Sequence, residues 1–142
     1  MRYFSILLRT IFAGLIALGI LSGAAQAGEK QGLVLQVSDD SPAVWNQALN
    51  NAMNVVQELG EDKVQVEIVA YGPGLKMLKF DSEVNNRLTD ASKKGITLAA
   101  CGNTMKKTKV TAKDLHANAK VVPAGVVEIM NKQKEGWAYV KP

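Results

Sequence analysis

The chain has 142 residues, with 17 Lys and Arg against 13 Asp and Glu, one His and one Cys. A formal net charge of +4 is too small for a nucleic-acid footprint, so no nucleic-acid partner is expected. A single cysteine excludes an intrachain disulfide framework, and the length suits one domain with one modest core.

Residues 1–27 read as a secretory signal peptide. Arg2 and Arg9 form a basic start, Ile11 to Leu21 an apolar heart, and Ala25-Gln26-Ala27 a small-residue exit. An uncleaved anchor is the alternative, but the apolar heart is short for a span of about 20 residues. No cysteine lies near the exit, which argues against a lipid anchor. The expectation is a periplasmic domain of residues 28–142, free of the membrane once cleaved. The two arginines leave with the signal, so its formal charge falls to +2. A lone thiol in an oxidising compartment must be buried, paired between chains, or used.

Leu33-Val34-Leu35-Gln36-Val37 is an apolar run suited to a buried strand. Ser41 and Pro42 then open a helix with Trp45, Ala48, Leu49, Ala52 and Val56 at helical spacing, stopped by Gly60. Val64 to Ala70 is a second strand, followed by the tight loop Tyr71-Gly72-Pro73-Gly74 and one helical turn over Leu75–Leu78. Ser82 is expected to cap a helix carrying Val84, Leu88 and Ala91, ended by Gly95. Ile96 to Ala100 is the third strand and ends at Cys101; a short turn over Asn103–Lys107 follows. Thr111 is expected to cap a helix over Ala112–Ala117, with His116 on its surface. Val121-Val122 is a brief fourth strand. The last helix carries Val126, Val127, Ile129 and Met130 and stops near Gly136; Trp137 to Val140 closes the chain as an edge strand.

Alternating strands and helices predict an α/β domain: a mostly parallel five-stranded sheet with helices on both faces, a flavodoxin-like three-layer sandwich. Strand C-termini then share one edge, where such folds place ligands. Four loops converge there, led by Ser38-Asp39-Asp40, Tyr71-Gly72-Pro73-Gly74, Cys101-Gly102-Asn103-Thr104 and Pro123-Ala124-Gly125. A flavodoxin strand order would set Cys101 beside the acidic first loop.

Gly102 leaves the sulfur uncrowded. A helix start near Asn103, with Lys106 and Lys107, would favour the thiolate, whereas Asp39 and Asp40 would oppose it. The alternative is a small buried cysteine that merely ends a strand. No C-x-x-C is present, and no Cys/His cluster for a metal. Cys101 to Lys107 has the length of a phosphatase loop but offers lysine where a forked arginine is needed. Gly72-Pro73-Gly74 lacks the third glycine of a dinucleotide fingerprint, and the acidic first loop discourages a flavin phosphate, so no cofactor is expected. Trp45, Met53, Met77 and Met130 read as core or subunit contacts.

The run Ala70-Tyr71-Gly72-Pro73-Gly74-Leu75, then Gly95 to Met105, then Val122-Pro123-Ala124-Gly125-Val126-Val127-Glu128, with the ending Lys132 to Pro142, resembles the DsrE/DsrF-like family, and more narrowly its single-gene branch. The resemblance implies a five-stranded α/β sheet and ring-shaped trimers or hexamers. In the family's sulfur-relay members a cysteine after the third strand carries sulfur as a persulfide, and Cys101 matches that position.

Two functions follow as expectations. The first is a periplasmic sulfur carrier or sulfurtransferase with Cys101 as nucleophile, exchanging sulfur with a donor or acceptor protein. Gly102 and Asn103 N–H groups would steady the sulfur anion, with Asn103 or Thr104 orienting the donor and Ser38, Asp39, Gly72 and Gly74 lining the site. The second is an oligomeric ligand-binding or scaffold protein with an inert thiol.

Overall fold

The computed structural model describes residues 30–142; the signal-peptide reading of residues 1–27 lies outside the described residues. The elements are β1 (Gln31–Val37), α1 (Pro42–Leu59), β2 (Val64–Ala70), a 3-10 segment (Gly72–Leu78), α2 (Asn85–Lys93), β3 (Thr97–Cys101), α3 (Gly102–Thr108), a 3-10 turn (Ala112–Asp114), β4 (Ala119–Val122), α4 (Gly125–Lys134) and β5 (Ala138–Val140). All four strand pairings are parallel, in the order β4-β3-β2-β1-β5.

This order fixes the layers. The chain steps β1 to β2 to β3 to β4 in one direction, so right-handed crossovers put α1, α2 and α3 on one face. The return from β4 to β5 passes the other way and puts α4 on the opposite face. The core is correspondingly lopsided. On the first face Leu33, Leu35, Ile68 and Leu98 from the strands meet Leu49, Ala52, Leu88 and Met105 from the helices. On the second face a small cluster of Val34, Val69 and Ala99 packs under Ile129. Strands covered on both faces read as near-continuous apolar runs, as Leu33–Leu35 of β1 and Ile68–Ala70 of β2 do.

The three-layer α/β architecture and the edge position of β5 are as expected. The strand order is not the flavodoxin one. The order reverses between β1 and β5, and β2 separates β1 from β3. Cys101 therefore sits one strand away from the first loop, and Tyr71 after β2 lies between them.

Local differences have local causes. Gly72-Pro73-Gly74 is not a loop but the first turn of the 3-10 segment. Ser82 does not cap α2: its carbonyl accepts from Asn85 N–H at 2.9 Å in a turn that precedes the helix. At Thr111 the N–H donates to Asp114 Oδ2 at 2.7 Å, closing a capping box over one short turn. His116 is thus left beyond that turn.

That corrects the reading of His116 as a helix-surface side chain. It is buried, at 5% exposure. Its Nδ1 accepts from Asn118 N–H at 3.2 Å, and Nε2 lies 3.0 Å from Thr89 Oγ1. Nδ1 is an acceptor here, so the proton belongs on Nε2, donating to Thr89. Burial pushes the imidazole's pKa below its ordinary 6.5. A base with a lowered folded pKa contributes stability above its unfolded pKa and loses it as pH falls through the folded value. His116→Ala should cost about 1–3 kcal/mol at pH 7.5. The gap between variant and wild type in urea midpoint should narrow below pH 6.5; a gap constant down to pH 5 would contradict this placement.

Candidate functional site

Four loops follow the sheet edge in strand order, and backbone groups tie each to the next. Tyr71 N–H donates to Val37 O at 3.1 Å, joining the second loop to the first. Gly74 lies against the Val37 carbonyl and Ser38 Cα with no room for a Cβ. Gly72 N–H donates to Thr104 Oγ1 at 2.9 Å, joining the second loop to the third. Asn103 N–H donates to Pro123 O at 3.1 Å, joining the third to the fourth. Ser38, Asp39, Gly72, Gly74, Cys101, Gly102, Asn103 and Thr104 all lie along this edge.

Cys101 ends β3 and is 5% exposed. Its Sγ accepts from the N–H of Gly125, the first residue of α4, at 3.2 Å. Glycine permits that approach: a Cβ at residue 125 would stand 3.2 Å from Cys101 Cβ and 3.2 Å from Tyr71 Cβ. Burial pushes the thiol pKa up, but hydrogen bonds from the Thr104 hydroxyl and from the N–H groups of Gly125, Thr104 and Asn103 outweigh it, and the pKa lies below its ordinary value. The Asn103 contribution is the weakest of these, because that N–H is already committed to Pro123 O. Thr104 is the better donor. Its oxygen accepts from Gly72 N–H, so its own proton is free for the sulfur.

The expected donors are therefore partly replaced. Gly102 packs under the Val122 carbonyl, where a Cβ would come within 3.1 Å, and is not among the sulfur's donors. Gly125, absent from the expected set, supplies the bond instead. The acidic first loop does not oppose the thiolate: Asp40 pairs with Lys76, and Ser38 Oγ donates to Asp39 Oδ2 at 3.2 Å. Tyr71, expected only as the start of the second edge loop, also lies at the site, beside Gly125. Burial raises its phenol pKa, with Tyr139, Asp39 and Cys101 adding to the rise.

A cleft of about 1030 Å³ opens beside the thiol. Trp45, Tyr71, Leu75, Lys76, Thr104 and Lys107 are on its wall, and Cys101 is not. Trp45 is fixed there by Nε1–H donating to Asp39 O at 2.7 Å.

The model of the DsrE/DsrF-like family matches residues 33–142. The chain belongs to that family. The family is associated with sulfur relay. Among solved structures the chain is similar to MTH1491, a protein of unknown function from Methanobacterium thermoautotrophicum, at 30% identity and a TM-score of 0.76, covering 80% of this chain and 100% of that one. It is similar in fold to BT1422 from Bacteroides thetaiotaomicron, also of unknown function, at 18% identity and a TM-score of 0.65, covering 79% of this chain and 95% of that one. No curated protein matches. The DsrE/DsrF-like domain thus occupies nearly all of the described residues. Among them no helix is long and apolar enough to cross a membrane.

Proposed function

We propose that this DsrE/DsrF-like chain is an exported sulfur carrier that holds sulfane sulfur as a persulfide on Cys101. The observation that carries the reading is the donor set around Sγ: Gly125 N–H at 3.2 Å and the Thr104 hydroxyl, which together lower the thiol's pKa despite its burial. A thiolate is the nucleophile in sulfur exchange. Cys101–S⁻ attacks the outer sulfur of a donor R–S–SH. A new S–S bond forms, the donor's S–S bond breaks, and R–S⁻ leaves, giving Cys101–S–SH. An acceptor thiolate then attacks the outer sulfur, and Cys101 leaves as the thiolate. The two steps are redox-neutral overall. The Gly125 and Thr104 donors favour the thiolate as nucleophile in the first step and as leaving group in the second.

The donor is a small or protein persulfide and the acceptor a small or protein thiol, each reaching Cys101 from the cleft beside Thr104. Apolar side chains exposed on α4 and β5 — Val126, Val127, Met130, Tyr139 and Val140 — favour a homo-oligomer, trimer or hexamer, that covers them. Export rests on the sequence of residues 1–27.

Intact mass tests the carrier. After exposure to polysulfide without reductant, the wild type is expected to gain about 32 Da per sulfur held, and Cys101→Ser none. No gain, or an equal gain in Cys101→Ser, overturns it. One observation favours a second reading. Cys101 is almost wholly buried and lies off the cleft wall, as a packing thiol beside a small-ligand site would. An unreactive native thiol, with a ligand-induced rise in melting temperature, would select that reading.

A further inference from the structure

Glu67 is anomalous on the second sheet face. It projects from the middle of β2, is 6% exposed, and its Oε1 has no donor among the described residues. A buried polar atom without a partner calls for an explanation. Lys132 of α4 is the nearest cation, with Nζ 3.9 Å from Glu67 Oε2. That is too long for a hydrogen bond. The same ammonium lies 3.9 Å from Glu128 Oε1, 3.4 Å from Glu135 Oε2 and 4.5 Å from the centre of the Trp137 ring. One charge is divided among three carboxylates.

The other surroundings add little charge. Lys120 of β4 faces the same space; β3 contributes Thr97, and Trp137 covers Gly32 of β1. Lys30, Glu61 and Lys94 stand on the wall of the adjoining cavity of about 530 Å³, where Lys94 and Glu61 pair at 2.9 Å. Burial, the charge of Glu128 and a hydrogen bond with Glu128 push the Glu67 pKa up to about 7, against the pull of Lys132 and Lys120. A hydrogen bond between two carboxyl groups requires a proton on one of them.

Glu128 lies in the first turn of α4, three residues after Gly125. That turn is held to the sheet by Gly125 N–H on Cys101 Sγ, and Lys132, one turn on, stands 3.9 Å from both Glu128 Oε1 and Glu67 Oε2. We propose that Glu67 and Glu128 share one proton, and that this proton latches the first turn of α4 to the sheet and so couples the Gly125–Cys101 hydrogen bond to the carboxyl pair. When the proton leaves, two adjacent carboxylates with a divided counter-charge push the turn outward, and Gly125 N–H recedes from the sulfur. The coupling concerns only the thiol's hydrogen bond, and holds whether or not the thiol carries sulfur.

The test uses the full chain without variants first. A ¹³C titration of the glutamate side-chain carboxyls should show the Glu67 transition near pH 7; every glutamate titrating below about pH 5.5 overturns the proposal. The rate of Cys101 alkylation against pH should then show a second inflection at the same midpoint, a shortfall of about threefold from a single-thiol curve. E67Q keeps a donor to Glu128 but cannot titrate, and should show the single-thiol curve alone. Equal profiles in wild type and E67Q overturn the coupling. If E67Q does not fold, E128Q is read in the same way. Should both fail to fold, a wild-type alkylation curve with no inflection at the carboxyl midpoint overturns it. A merely structural glutamate would alter stability and leave the shape of the alkylation profile unchanged.

Discussion

Thr104→Val is expected to raise the pKa of Cys101 by about one to two units and to slow its alkylation at pH 7. The hydroxyl it removes is the largest of the influences that lower the thiol's pKa. A hydrogen bond to a charged group is worth about 1.5–3 kcal/mol, which corresponds to about one to two pKa units. The rate falls by less than the thiolate population does. Each unit cuts the thiolate fraction about tenfold, while the more basic thiolate becomes about threefold more nucleophilic. The net loss is therefore about threefold per unit. Valine also leaves Gly72 N–H without its partner, adding a stability cost of about 1 kcal/mol. Thr104→Ser keeps the hydroxyl and should restore both. The measurement is alkylation rate against pH for the three proteins. A Thr104→Val curve that overlays the wild type would show that the hydroxyl is irrelevant to the sulfur.

Gly74→Ala should be the most damaging small substitution at the sheet edge. The cause is space, not backbone conformation. The added Cβ would overlap the carbonyl group of Val37 and the Cα of Ser38. Both are backbone at the end of a central strand and cannot turn aside as a flexible side chain can. Overpacking of this kind costs about 1–3 kcal/mol. The strain also reaches the site. Gly72 belongs to the same 3-10 segment, and its N–H holds Thr104 Oγ1. Displacing the segment should thus lower the urea midpoint and raise the thiol pKa together. Normal thiol titration in a strongly destabilised Gly74→Ala would show that the first loop and the thiol are independent.

Much of this architecture was legible in the residues, because its signals are local. Apolar runs such as Leu33–Val37 mark strands, Ser41-Pro42 marks a helix start, and Gly60 marks a stop. Cys101 stood out because it is alone and ends a strand. Strand order was not legible: every buried parallel strand is apolar, so nothing in the runs says which are neighbours. The family resemblance, not periodicity, gave the chemistry.

The misses have physical causes too. Gly125 acts through its backbone N–H, which every residue but proline carries, so its type gives no sign of the bond. Its available signal was the need for a residue without Cβ after Pro123-Ala124. Glu67 reads as the polar half of an alternation in Val64-Gln65-Val66-Glu67. It becomes unusual only once β2 is central and α4 lies over it. Ala112–Ala117 is helix-compatible, which predicts a helix through His116. The Thr111–Asp114 capping box closes only one turn, and the chain leaves it before His116.

The central claim is that hydrogen-bond donors, not charged neighbours, keep Cys101 acidic although it is buried. Alkylation of the native wild-type chain against pH measures it directly. The expected result is a half-maximal rate below pH 9.0, the ordinary value from which the donors lower it. A thiol that reacts only on unfolding, or with a midpoint above that value, would contradict the account.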